Sequence, residues 1–467
     1  LEGAVKILRR IKMTVHEKFM YRSLDEIRAD IDKFGIELPI LDDLGPLKSP
    51  ISMKGTTIPN SIGIHPMEGC DGIDRGGPSD LTFRRYERFA RGGAGLLWFE
   101  ATAVVEEGRA NPRQLYICEE NKDQLKRLLD DTMEVVRQEY GQDHKPYTVV
   151  QLTHSGRYSK PEGKPAPIIA TRNPYLGRNL PEDYPLITDD ELKRLEDIFV
   201  EAACMAREIG FDAVDIKACH GYLNSELLSG FTREGDYGGS FENRTRFLLN
   251  IVDKIKDRLG DELDITLRLN AYDSVPYPYG WGVDREDFLV PDLTEPIRLV
   301  KILHNKGIEL INISTGNPYY NPHVGRPYDM GYYTPPEHPL VGTARMLDII
   351  RQIQESVPDM KVMATGFSWL REFAPYIAAG GIQKGWFSIA GFGRQSLAYP
   401  DFAKDILTKG IMDRKKSCIA CSKCSEIMRD GGRAGCVIKD AKIYAPIYRE
   451  GRKGKPPIDG SRVAHHV

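Results

Sequence analysis

Four cysteines crowd the C-terminal end of the chain. Cys418, Cys421 and Cys424 are separated by two residues each, and eleven residues then precede Cys436. Four thiolates can hold a [4Fe–4S] cube or a zinc ion. Structural zinc usually takes cysteines in two close pairs, whereas three close thiols and a distant fourth are the grouping of many iron–sulfur runs. The spacing therefore favours a [4Fe–4S] cluster, with zinc the alternative. The other four cysteines, Cys70, Cys118, Cys204 and Cys219, stand singly. Together the eight read as thiols kept reduced rather than as the disulfide framework of a short secreted chain.

A second constellation lies mid-chain. Asp215 and Lys217, two positions apart in a β-rich run, share one face of a strand. A mutual ion pair is one reading. In the other, Lys217 and His220 donate hydrogen bonds to one substrate oxygen, polarising a conjugated carbonyl so that its far carbon accepts hydride, and Tyr222 delivers the proton. Gln151 could pair with the donor and acceptor edge of a flavin ring, and the Arg268 cation could stabilise the reduced ring; a polar plug and a barrel-mouth ion pair are the plainer readings. Gly391-Phe-Gly393-Arg394-Gln-Ser396 half-matches a dinucleotide fingerprint, but no ribose-binding acid follows in a βαβ unit. With Gly366 it reads better as a phosphate cup, backbone N–H groups on two sides and Arg394 bidentate, or else as two tight turns.

These residues need a frame. Eight β-rich runs, at 61–65, 95–101, 147–153, 213–218, 265–270, 310–315, 361–365 and 386–390, are mostly continuous apolar stretches, as in parallel strands covered on both faces. Helical patterns follow them at 81–91, 121–140, 190–209, 242–259, 295–305, 344–355, 370–379 and 397–407. In the third, Thr188 and Glu191 form a capping box and Gly210 a C-cap. Eight strand–helix units predict an α/β fold, a (β/α)8 TIM barrel, with an open doubly wound sheet as runner-up. The long loops, 154–187, 219–240, 271–291 and 316–342, all follow strands and would gather on the face where barrels carry active sites. The expected division is an N-terminal extension over 1–50, a barrel over 51–410, and a cysteine segment with an extended tail over 411–467.

Of 467 residues, 41% are hydrophobic and 28% charged, with a formal net charge of −3. Lys and Arg are dispersed, so no nucleic-acid footprint is expected. No apolar run approaches the roughly 20 residues of a membrane span, and no apolar leader is read at the N-terminus. The expectation is a cytoplasmic protein without a membrane or nucleic-acid partner. Residues 1–12, ahead of Met13, are set aside.

Several motifs coincide with one family. They are Ile58-Pro-Asn-Ser-Ile-Gly-Ile-His-Pro66-Met67, Glu100-Ala101-Thr102 with Gly108-Arg109, and Gln151-Leu-Thr-His154-Ser-Gly-Arg157. His220-Gly-Tyr222-Leu-Asn-Ser-Glu-Leu-Leu-Ser continues to Asp236-Tyr-Gly-Gly-Ser-Phe-Glu242-Asn243-Arg244, and Arg268, Gly393-Arg394 and the cysteines follow. From about Ile58 to Cys436 the chain resembles the Old Yellow Enzyme family of FMN ene-reductases, in its iron–sulfur branch of 2,4-dienoyl-CoA and enoate reductases (NADH:flavin oxidoreductases). The resemblance implies that Pro66, Met67, Ala101, Gln151 and Arg268 contact the isoalloxazine or ribityl chain of FMN. It implies that Gly366, Gly393 and Arg394 hold the phosphate, that Tyr222 is the proton donor, that His220 and Lys217 hold the substrate oxygen, and that Cys418, Cys421, Cys424 and Cys436 hold [4Fe–4S].

There are departures. Position 217, often His in relatives, is Lys. Glu68 stands near where relatives place a small, Cys, Thr or His residue. The third cysteine follows the second by two residues rather than three, and no room for FAD- and NAD(P)-binding domains follows the cluster. The expected reaction is reduction of a C=C bond in a small-molecule enone or enoyl-thioester, with electrons relayed through the cluster from a separate donor protein or a reduced flavin. A homo-oligomer is compatible with this. The alternatives are an FMN/iron–sulfur amine dehydrogenase, which usually attaches FMN through a cysteine, and a redox-inert barrel with structural zinc. The loop tyrosines Tyr272, Tyr277, Tyr279, Tyr319, Tyr320, Tyr332 and Tyr333 read first as loop packing, and otherwise as an aromatic mouth.

Overall fold

The computed structural model describes residues 15–177, 179–456 and 458–461. Ten strands are found among them. A short antiparallel hairpin, β1 (Ile51–Met53) and β2 (Thr56–Ile58), precedes the barrel strands β3 (Ile62–Ile64), β4 (Leu96–Ala103), β5 (Tyr147–Thr153), β6 (Ala213–Ile216), β7 (Asp264–Tyr272), β8 (Leu310–Thr315), β9 (Lys361–Ala364) and β10 (Ile389–Phe392). β3 to β10 pair in chain order, all parallel, and β10 closes on β3. The fold is a TIM barrel, as the eight-fold alternation predicts.

Helix α1 (Leu24–Phe34) lies ahead of the barrel. Outside the strands run α2 (Asp80–Ala90), α3 (Glu119–Tyr140), α4 (Asp189–Ile209), a short α5 (Leu223–Leu228), α6 (Phe241–Leu259), α7 (Thr294–Asn305), α8 (Pro339–Ser356) and α9 (Ala374–Gln383). α4 is capped as its sequence predicts: Thr188 and Glu191 close the box and Gly210 is left-handed at φ 107°. After β10 come α10 (Arg394–Ala398) and α11 (Phe402–Lys409), then α12 (Lys423–Arg429) and α13 (Ala441–Gly451) in the cysteine segment.

The barrel interior is layered. At the strands' N-terminal ends, Ile51, Met53 and Ile58 of the hairpin join Leu96, Trp98, Tyr147, Val149, Leu310, Met363 and Ile389 in one apolar cluster, closing the bottom. Above it lies a polar layer. Buried Asp215 accepts from Trp98 Nε1 at 2.9 Å, Gln151 Nε2 at 2.5 Å and the Arg268 backbone N at 2.7 Å. Asn312 Nδ2 meets His65 Nδ1 at 3.1 Å.

Four expectations need correction. The last strand starts at Ile389, not 386: Trp386 and Phe387 are buried ahead of it, and a continuous apolar run carries no phase to mark the onset. The helix expected at 344–355 begins at Pro339, whose fixed φ suits a first helical position. The pattern at 397–407 is two helices, interrupted at Pro400, which lacks the N–H to continue the first. The tail after Cys436 is not extended: it forms α13, with Tyr444 buried against Ile427, Ala434 and Val437. Residues 1–12 lie outside the described residues. Among the described residues, no helix is long and apolar enough to cross a membrane.

Candidate active site and thiol pocket

At the C-terminal mouth of the barrel a cavity of about 240 Å³ opens among the strand ends and the long loops. Pro66, Met67, Ala101, Gln151 and Arg268 line its base and sides. Gly366, Gly393 and Arg394 line it after β9 and β10, and Lys217, His220 and Tyr222 after β6. All eleven residues singled out from the sequence for cofactor and chemistry thus share one cavity. His154 does not face it; its Nδ1 caps the backbone N of Gly156 at 3.0 Å.

The glycines are required by space. Gly366 is left-handed at φ 104°, and a Cβ there would lie 2.6 Å from Met346 Sδ. At Gly391 a Cβ would lie 2.3 Å from His65 Nε2. Nearby, the 67–71 loop is pinned from behind: Arg85 donates to the Met67 carbonyl at 2.8 Å and to Asp71 at 2.7 Å, and Glu100 accepts from Gly69 N at 2.8 Å. Burial pushes the Glu100 carboxyl up to about 7.

The suggested Lys217–Asp215 pair is absent. Asp215 is engaged by its three N–H donors, and burial raises it to about 6. Lys217 Nζ instead lies 3.6 Å from the centroid of the Tyr222 ring, a cation–π contact. Burial lowers the lysine and raises the tyrosine, so the phenol keeps its proton. His220, which lines the mouth, holds a left-handed backbone, φ 66°, which costs a non-glycine residue of order 1 kcal/mol. Because Asp215 takes the Gln151 amide N–H, the Gln151 carbonyl is the end left for a ring N–H.

Arg268, Arg326 and Arg394 line the same cavity, and among the described residues none of the three has a carboxylate partner. Arg326 donates to Ser422 Oγ at 2.8 Å; Arg268 Nε and Arg394 Nε have no partner. Burial, then the field of Arg394, pulls Arg326 down to about 9. Guanidinium groups held together with no carboxylate bonded to any of them fit a dianionic guest, and backbone glycines beside them fit a phosphate. Arg326 escaped the sequence reading because a lone arginine in a long loop carries no periodic signal; only the length of the loop after β8 pointed there.

The thiols form a second pocket. Cys418, Cys421, Cys424 and Cys436 line one small cavity, and Arg394 lines both this pocket and the first. Backbone N–H groups of Ala420 and Lys439 point at Cys418 Sγ (3.4 Å) and Cys436 Sγ (3.3 Å). Ala420 and Ser422 are left-handed at φ 49° and 61°, so the loop is bent tightly round the pocket. Burial and the facing Cys424 push the Cys418 thiol up to about 12. Among the described residues no group of three or more His, Cys, Asp or Glu is drawn close enough for a single metal ion. The segment docks on the barrel: Cys418 N donates to Gln395 at 2.9 Å, Ala434 N to the Gly69 carbonyl at 2.6 Å, and Arg84 and Arg88 pair with Asp440. Through Ser425, Met428 and Arg429, α12 also walls the first cavity.

Residues 46–285 match the profile of the NADH:flavin oxidoreductase / NADH oxidase family. An NADPH dehydrogenase of Bacillus pumilus (strain SAFR-032) is 31% identical over 278 residues, covering 58% of this chain and 73% of that protein. In fold, a 2-naphthoyl-CoA reductase complex aligns with TM-score 0.68 at 20% identity, over 88% of this chain and 58% of that one. Histamine dehydrogenase from Rhizobium sp. 4-9 aligns with TM-score 0.63 at 19% identity, over 84% and 52%. This chain thus spans little more than half the length of those two structures.

Proposed function

The chain belongs to the NADH:flavin oxidoreductase (Old Yellow Enzyme) family, and on that premise we propose that it is an FMN-dependent ene-reductase, reducing a C=C bond conjugated to a carbonyl or thioester. As a member it is a flavin-dependent oxidoreductase; the bond reduced and the route of the electrons are the proposal. The observation that carries it is the gathering of three carboxylate-free guanidinium groups and the Lys217–Tyr222 pair on one cavity.

When bound, FMN supplies hydride transfer from its ring. Arg326, Arg394 and the Gly366 and Gly393 backbone would hold its phosphate, Gln151 its polar edge, and Arg268 the charge of its reduced form. Lys217 and His220 would donate to the substrate oxygen and stabilise the enolate. Tyr222, kept protonated by burial, would give its hydroxyl proton to the α-carbon. A [4Fe–4S] cube held by Cys418, Cys421, Cys424 and Cys436 would supply single electrons. The three-plus-one spacing of the thiols and the N–H groups aimed at two of the sulfurs favour that cube over one zinc ion. No cysteine lines the larger cavity, which speaks against the covalent flavin of the amine-dehydrogenase reading.

The test is direct. The purified protein, reduced anaerobically with dithionite, is mixed with 2-cyclohexenone or crotonyl-CoA, and flavin reoxidation is followed with loss of the alkene. Reoxidation with formation of the saturated product is expected; reduced flavin that persists across a broad panel of enones and enoyl-thioesters overturns the proposal.

A further inference from the structure

Glu68 is the one carboxylate among the residues lining the larger cavity; the charged residues around it, Lys217, Arg268, Arg326, Arg394 and Arg429, are all cations. Its Oε1 accepts from Asn111 Nδ2 at 3.0 Å, with the Cys70 thiol at 3.7 Å, and no described residue bonds Oε2. Asn111 also reaches Cys70 Sγ at 3.3 Å, and the pinned 67–71 loop fixes the backbone beneath. Glu68 lies within electrostatic reach of Lys217, Tyr222 and Tyr319, all on the same cavity. Yet it does not close an ion pair with Lys217, whose Nζ is drawn to the Tyr222 ring. Burial raises the Glu68 carboxyl while Lys217 and the Asn111 hydrogen bond oppose the rise, and as a carboxylate it accepts at Oε2 as well as at Oε1. One cavity therefore carries side chains that can donate (Lys217, His220, Tyr222) and one fixed acceptor, Glu68.

We infer that Glu68 is a specificity-determining residue: the compound reduced carries an N–H donor beside its conjugated carbonyl, as an unsaturated lactam or amide does, and Glu68 accepts that hydrogen while Lys217 and His220 hold the oxygen. This rests on the ene-reductase reading above. It follows from complementarity, since an enone without a donor leaves Oε2 desolvated and unpaired.

The probes are 5,6-dihydro-2-pyridone, its N-methyl derivative, and 2-cyclohexenone. Each is titrated into the oxidised holoenzyme, with the dissociation constant read from the flavin absorbance, and then tested for turnover. The N–H lactam is expected to bind at least about tenfold more tightly than the N-methyl lactam. In Glu68→Gln, Asn111 keeps the amide carbonyl and turns the amide nitrogen, a donor, toward the substrate, so the preference disappears. Glu68→Ala, which removes the acceptor altogether, must also lose it. Equal affinities in the wild type, or a preference that survives in both variants, overturns the inference alone. Failure of all three compounds, cyclohexenone included, to perturb the flavin or be reduced overturns the ene-reductase reading and this one with it.

Discussion

At the scale of single residues, the site is a set of charges whose partners are missing until a guest arrives. Removing one of the phosphate-facing cations should be felt in binding: Arg326→Ala and Arg394→Ala should each weaken FMN by about 10- to 100-fold, the worth of a charge-assisted hydrogen bond, as read by flavin fluorescence on reconstitution. Tyr222→Phe should cut the turnover of an enone by about 100-fold while leaving flavin reduction by dithionite unaltered, which stopped-flow separates. Asp215 gives a prediction in pH. Its pKa is raised from 3.8 to about 6 in the fold, so the fold favours the protonated form. That contribution is fully present below pH 4 and is lost as pH rises through about 6. In Asp215→Asn it is absent, so the variant should gain on the wild type by about 3 kcal/mol between pH 4 and 6.5 and by nothing more above, on denaturation curves of both. Much of this chemistry was legible in the sequence because the motifs that carry it are short and local. What was not legible depended on the third dimension. The Asp215–Lys217 pair was the natural reading of two residues on one face, but Trp98, from β4, and Gln151, from β5, occupy the carboxylate first. Arg326 came from a loop with no pattern at all.

At the scale of elements, β3 to β9 could be read within a residue or two because buried parallel strands are continuous apolar runs. Edges failed where the run gave no phase, as at Trp386, or where proline set the boundary, as at Pro339 and Pro400. α12 and α13 went unseen because cysteine and glycine spacing hides a helical period. α12 matters most, since it carries Cys424 on the thiol pocket and Ser425, Met428 and Arg429 on the larger cavity. The larger cavity and the thiol pocket are therefore coupled through one helix of seven residues, too short to hold its shape without tertiary contacts. Cys424→Ser should lower not only iron, from about four per chain, but also FMN occupancy, each measured on the same preparation by iron assay and by the flavin released on denaturation. Full flavin with no iron would show that α12 stands without its cluster.

At the scale of the whole molecule, the barrel supplies rigid strand ends, and the cysteine segment forms a wall over them. The flavin should come off as free FMN in acid, since no cysteine lines its cavity; a yellow pellet would contradict this. The hairpin β1–β2 has a consequence for the order of events. With Ile51, Met53 and Ile58 stoppering the floor, small molecules reach the cavity from the C-terminal mouth and not through the bottom of the barrel, so reductant and acceptor share that doorway. A reductant using that doorway would have to vacate before the acceptor arrived, and double-reciprocal plots would be parallel. Electrons that come sideways, through the sulfurs behind Arg394, need no such turn-taking. The acceptor can wait in place while the enzyme is recharged, and the plots should intersect.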